Sequence, residues 1–198
     1  MLTAKPLVLA LSVWAGALAT SASASEPALS PSERDQMNSA IISELPHLSP
    51  LEIDLWLVTA LPLVEQYNEA DAEEILKNVL VAAHANNVPP DLVLAIMEIE
   101  SHFDRFAISR VGALGIMQIM PFWIDEIGTA NDNLMQIDTN VRYGCAILRH
   151  YLDKHDNSWH LALAAYNGSS GRFTYSEKVM NVWSLRWKYT RLEDPQSP

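Results

Sequence analysis

Cysteine is all but missing from this chain. Among 198 residues only Cys145 is a cysteine. No disulfide can form within the chain, so its stability has to come from packing. Cations are also scarce: 13 Lys and Arg stand against 24 Asp and Glu, a formal charge of −11 at pH 7. That balance excludes a protein that grips nucleic acid or an anionic membrane through bulk charge. No stretch alternates apolar and polar residues for long enough to mark a strand, and no segment repeats. There is no glycine-rich phosphate loop and no H-E-x-x-H among the six histidines. His150 and His155 are five apart, off one helical face. Neither a metal nor a cofactor is expected.

The one long apolar run is Leu7 to Ala19, preceded by the single charge of Lys5. It is short for a bilayer span and is followed by Ser21-Ala22-Ser23-Ala24. Ala22-Ser23-Ala24 is an A-x-A site, so residues 1–24 read as an export signal cleaved after Ala24. No cysteine near that site could carry a lipid, and no later stretch could span a membrane. The mature chain is therefore expected to be soluble and long enough for one domain with a true core.

What remains is helical in pattern. Ser30-Pro31-Ser32-Glu33 and Ser49-Pro50-Leu51-Glu52 both read as capping boxes with proline at the first helical position. The second helix shows Leu51, Leu55, Val58 and Leu61 at helical spacing, and Pro62 is expected to kink or end it. Asn68 is expected to cap a third helix, with Ile75, Leu76, Val79, Leu80 and Ala83 on its buried face and Asn86-Asn87 at its close. After Pro89-Pro90, Leu92 to Ile99 is apolar nearly all round, as in a central helix. Asp138 should cap a helix reaching about His155, with Val141, Cys145, Leu148 and Leu152 along one stripe. On that stripe Cys145 reads as a small buried hydrophobe. Trp159 to Tyr166 is a short helix ended by Asn167-Gly168. Residues 25–68 form a linker and helical extension, 69–190 the main domain, and 191–198 a tail.

Chemistry points to the end of the apolar helix. Glu98 and Glu100 both lie there, two residues apart and so on opposite sides. A carboxyl in such surroundings has a raised pKa, which suits a general acid. One of the pair should face a cleft and the other solvent, and spacing does not choose between them. Ser109 to Gly115 is a loop with two glycines. Gln118 interrupts an apolar run, either as a core amide satisfied by backbone or as a hydrogen-bond partner for a ligand. Trp123 reads as core in preference to a stacking platform. Ser101-His102 is not a nucleophile with its base, because helix neighbours face apart.

Three ordered blocks carry a resemblance. The first is Glu100-Ser101, Phe103, Ala107, Ser109, Gly112-Ala113, Gly115 and Met117-Gln118-Ile119-Met120-Pro121. The second is Asn140, Gly144 and Leu148, and the third Ala164-Ala165-Tyr166-Asn167-Gly168 with Gly171-Arg172. Tyr175 and Lys178-Val179 follow. Together, over roughly Ala82 to Trp187, these resemble the soluble lytic transglycosylase family. The resemblance implies an all-α, lysozyme-like (goose-type) catalytic domain in the periplasm, acting on peptidoglycan glycan strands. It matches Glu100 to the family's catalytic acid, with Tyr166 OH as the group that orients it. It matches Ser101, Ser109, Met117, Gln118, Asn167 and Tyr175 to positions that orient the acid or hold the glycan. The chain departs from the pattern in a short bridge at Gly171 to Thr174 that lacks the carboxylate usual there, which predicts a cleft open at that end.

The implied reaction uses one carboxylate, where ordinary glycosidases use two. It cuts between N-acetylmuramic acid and N-acetylglucosamine and leaves a 1,6-anhydromuramoyl end. A lysozyme-like muramidase would instead need a second carboxylate, for which Asp104, four residues on, is the nearest candidate. A non-catalytic glycan-binding scaffold would need no buried acid at all.

Overall fold

The computed structural model describes residues 31–188. Among them the chain is all-α: eight helices and one π-helical turn, with two isolated β-bridges and no strand. No helix among the described residues is long and apolar enough to cross a membrane. The export signal, the Ser30 cap and the tail lie outside these residues.

Helix α1 spans Pro31–Glu44 and α2 spans Pro50–Asn68. The start of α2 is the capping box read from the sequence: Glu52 N donates to Ser49 Oγ at 3.2 Å, and Ser49 N to the Glu52 carboxylate at 2.9 Å. Its buried face differs from the expected one. Leu51, Leu55 and Val58 are 66%, 41% and 54% exposed, and the core takes Ile53, Trp56, Leu57, Ala60, Leu61 and Val64. Both sets sit at helical spacing, and the large Trp56 ring decides the rotation. It packs inward with its Nε1 donating to Asp91 at 3.4 Å. Pro62 does not end the helix, which runs on to Asn68. Pro62 is exposed, so the backbone bond it removes is on the side that water reaches.

Helix α3 is Ala72–Ala85, and Asn68 is not its cap. Asn68 closes α2, accepts from Asp71 N at 3.1 Å and donates to Phe103 O at 3.0 Å, tying the α2–α3 corner to the segment after α4. The expected α3 face, Ile75, Leu76, Val79, Leu80 and Ala83, is buried throughout. Helix α4, Pro90–Ser101, is the central one, with every residue from Leu92 to Glu98 buried. Helix α6, Ile137–Lys154, starts after Gln136, and Asp138 lies in its first turn where it was expected as the cap. Its stripe of Val141, Cys145, Leu148 and Leu152 is fully buried, and burial pushes the Cys145 thiol pKa well up, leaving an inert thiol. Helix α7 is Trp159–Tyr166. Two helices carry too few periodic apolar residues to be read from the pattern: α5, Trp123–Ile127, and α8, Thr174–Val182. The π turn, Trp183–Trp187, follows α8 and packs with it on α4.

The loop between α4 and α5 folds back on itself through bridges Ile108–Leu114 and Leu114–Ile119. Asn140 of α6 holds it from below. Its Nδ2 donates to Leu114 O and Leu134 O at 2.9 and 2.7 Å, and its Oδ1 accepts from Met117 N at 2.8 Å. A buried amide satisfied at both ends fixes the loop in one register. Gly115, at φ +77°, passes so close that a Cβ would overlap the Asn140 amide and the Leu134 carbonyl. Gly112, at φ +88°, has open space around it. Gly115→Ala should therefore cost about 2–4 kcal/mol, the strain of a left-handed residue plus overpacking. Gly112→Ala should cost only the strain, about 1 kcal/mol. Urea denaturation of both variants checks this, and equal losses would show that the loop yields at Gly115.

Candidate active site

Glu100 sits in the last turn of α4, half-buried. The helix stops there because His102 and Phe103 turn left-handed, at φ 52° and 63°. The hydroxyl of Tyr175, in the first turn of α8, donates to Glu100 Oε1 at 2.6 Å. The Asn167 side chain, at the C-terminus of α7, also hydrogen-bonds the carboxylate. Three helices thus bring their ends to one carboxyl. Burial raises the Glu100 pKa above its ordinary 4.5, while the Tyr175 and Asn167 bonds pull it down, and burial prevails. The Tyr175 hydroxyl pKa is itself pushed well up, by its burial first and then by the Glu100 charge, so it remains a donor.

Tyr166 does not donate to Glu100 as expected, although the Glu100 charge is near enough to help raise its pKa. Its hydroxyl donates to Met117 O at 2.9 Å, a carbonyl deep in the loop that needs a partner, and the contact with the acid falls to Tyr175. The other expected site residues divide in the same way. Ser101 Oγ donates to Ile116 O at 2.7 Å, and Ser109 Oγ accepts from Ala113 N at 2.9 Å. Gln118, at φ 52°, gives its Nε2 to Ala107 O and Gly115 O, so its donor is spent on backbone. Met117 is buried, and its side chain occupies the space that the missing Cβ of Gly144 leaves open. These residues shape the loop, whereas Asn167 and Tyr175 meet the acid. Trp123 is half-buried, edge-on to His150 and Tyr151 at 6.2 Å.

Glu98 was expected in solvent if Glu100 faces the cleft, and it is not there. It is 8% exposed and accepts from Trp187 Nε1 at 2.6 Å, Arg186 Nη1 at 2.7 Å and Tyr67 OH at 3.1 Å, and Arg186 also bonds Tyr67. A carboxylate can be buried when its lone pairs are this fully met. Periodicity could not find these partners, since they come from α2 and from the π turn. Asp104 is exposed and accepts from Phe106 N at 2.8 Å. The helix has ended before it, so it is not a helical turn along from Glu100.

Beside the acid lies an open cleft of about 310 Å³ lined by Ile99, Asn167, Ser169, Arg172, Thr174, Tyr175 and Lys178. Neither α1 nor α2 contributes to its lining, and neither does any Asp or Glu. Among the described residues no group of three His, Cys, Asp or Glu could hold a metal.

Comparison with known proteins gives the family. Residues 77–181 match the model of the transglycosylase SLT domain. The chain is 31% identical over 125 residues to membrane-bound lytic murein transglycosylase C of Shigella sonnei, covering 55% of this chain and 35% of that protein. It is 33% identical over 93 residues to the transglycosylase of Enterobacteria phage PRD1, covering 47% and 34%. Among solved structures, it resembles an inactive mutant of the lytic transglycosylase Slt from Pseudomonas aeruginosa. That match has 25% identity and a TM-score of 0.46, and covers 73% of this chain and 24% of that one. The chain belongs to the transglycosylase SLT domain family. The lysozyme-like helical class goes with that membership. It spans only about a third of the length of the first two of these relatives.

Two variants test the electrostatics. Tyr175→Phe removes a hydrogen bond to the charged form of Glu100, so its carboxyl pKa should rise further above the normal range. Carboxyl-carbon NMR titration reads this directly, and a downward move would mean that Tyr175 does not stabilise the carboxylate. Glu98→Ala should leave the Glu100 titration largely in place but cost about 1.5–3 kcal/mol for the lost charge-assisted bonds. Thermal unfolding measures that loss, and an unchanged midpoint would show the cluster to be without net effect.

Proposed function

We propose that this chain is a lytic transglycosylase. It cleaves the bond between N-acetylmuramic acid and N-acetylglucosamine in peptidoglycan, with Glu100 as its single catalytic group. One observation carries the reading: a carboxyl of raised pKa is gripped by Tyr175 and Asn167, and both of these partners line the open cleft. The relatives named as lytic murein transglycosylases support the substrate class.

Protonated Glu100 gives its proton to the glycosidic oxygen, and the C1–oxygen bond breaks. The sugar's own N-acetyl group stabilises the positive charge that develops at C1. Glu100, now a carboxylate, takes the proton of the muramoyl 6-hydroxyl as that oxygen bonds to C1. The two transfers restore the enzyme and yield a 1,6-anhydro sugar without consuming water. The 6-hydroxyl is tethered to the reacting ring, and its high effective concentration favours it over water. Hydrolysis would need a second carboxylate, roughly 5–5.5 Å or 6.5–9.5 Å from the first depending on stereochemistry. A raised pKa keeps more of Glu100 protonated near neutrality, as the first step requires. Residues 69–190 would be the catalytic unit, working in the periplasm after removal of residues 1–24.

Purified glycan strands digested in heavy-oxygen water should give muramoyl ends one water lighter than hydrolysed ends, free of label. Glu100→Gln should lower turnover by about 10²–10⁴-fold with unchanged circular dichroism, and Glu98→Gln far less. Labelled ends from the start of the reaction would overturn this reading in favour of a muramidase.

A further inference from the structure

Arg172 and Lys178 both line the cleft beside Glu100. Cations are few here, and several are engaged elsewhere: Arg105 with Asp71, Arg142 with Asp132, Arg149 with Asp153 and Arg186 with Glu98. Arg172 and Lys178 form no ion pair among the described residues, and both are exposed. They are placed firmly all the same. Arg172 N donates to Ser169 O at 2.8 Å, which closes the tight turn over Gly171. Lys178 lies three residues after Tyr175 on α8, one turn along from the residue that holds the acid. Neither cation contributes to the Glu100 shift, so they are not there to tune the acid.

We propose that Arg172 and Lys178 form a subsite for a carboxylate-bearing substituent of the glycan, the peptide stem carried on its muramoyl residues. The proposal rests on the function proposed above. Sugar rings are uncharged and gain little from two solvated cations, whereas stem carboxylates are matched by them. The overall charge of −11 repels an anionic strand, so a local pair of cations is what lets its stems approach this cleft. The substituent would lie along the short bridge at residues 171–174, with the partly buried Ile99 beside it and the acid at the far end.

Binding to full-length Glu100→Gln separates the outcomes, because that variant holds strands without turning them over. Two probes are used: glycan strands carrying their peptide stems, and the same strands with the stem carboxylates converted to neutral primary amides. Strands with charged stems should bind about 10-fold tighter, as two exposed charge contacts allow. The ratio should fall toward one in an added Arg172→Ala/Lys178→Ala pair and as salt rises, and persist in Arg172→Lys/Lys178→Arg. Equal affinity for the two strands, or a ratio that survives the alanine pair, would overturn the subsite. Anhydro ends formed from both strands by the enzyme with Glu100 intact, with no binding preference in Glu100→Gln, would remove this inference and leave the reaction standing. A stem preference with hydrolysed ends would do the reverse, and failure to bind either strand would remove both.

Discussion

Helix α4 carries two carboxylates two residues apart on an otherwise apolar stretch, and the chain treats them in opposite ways. Glu98 is met by Trp187, Arg186 and Tyr67, so its charge is compensated where it lies. Glu100 receives only two neutral donors and loses enough water that its neutral form gains. The first arrangement fixes the helix and the second leaves a carboxyl suited to the proposed proton transfer. They depend on each other, because Glu98 draws α2 and the π turn against α4 and so sets where the last turn of α4 lies. Tyr175, on the helix leading into that π turn, then meets Glu100 at 2.6 Å.

The loop from His102 to Phe122 is the second fixed element. Its polar residues look like ligand groups in the sequence, yet most spend their bonds on the loop's own backbone. Asn140, Ser101, Gln118 and Tyr166 each satisfy a carbonyl or amide that would otherwise be buried without a partner. A loop so cross-linked is held in one conformation against the end of α4. The proposed reaction, which acts through a single group, requires such rigidity, since no second group corrects a misplaced substrate.

Much of this was readable from the chain because periodicity and punctuation are local signals. The faces of α3 and α6, the Ser49 capping box and the end of α7 at Asn167-Gly168 all follow from neighbours in sequence. The errors came where two local answers were equally good. Helix α2 offers two apolar stripes, and only packing by Trp56 chooses between them. Asn68 resembles a cap but serves the corner as a tertiary bridge. The site shows the same limit: Tyr175 and Asn167 were among the residues expected to orient the acid or hold the glycan, but the bond to Glu100 was assigned to Tyr166. Tyr166 and Tyr175 are both tyrosines at plausible spacing, and which hydroxyl reaches the carboxyl depends on how α7 and α8 approach α4.

Charge completes the argument. A chain this acidic cannot gather an anionic polymer by its general field, and at an ionic strength near 0.15 M fields beyond about 8 Å are screened in any case. Attraction must therefore be local, and the cations available to the cleft are Arg172 and Lys178. Neither of them is among the causes of the Glu100 pKa shift. A cation in contact with the acid would favour the carboxylate and empty it of the proton needed for the first step. Arg172 on the bridge and Lys178 on α8 do not lower the acid's pKa. The proposed recognition and the proposed proton transfer can therefore share one cleft without opposing each other.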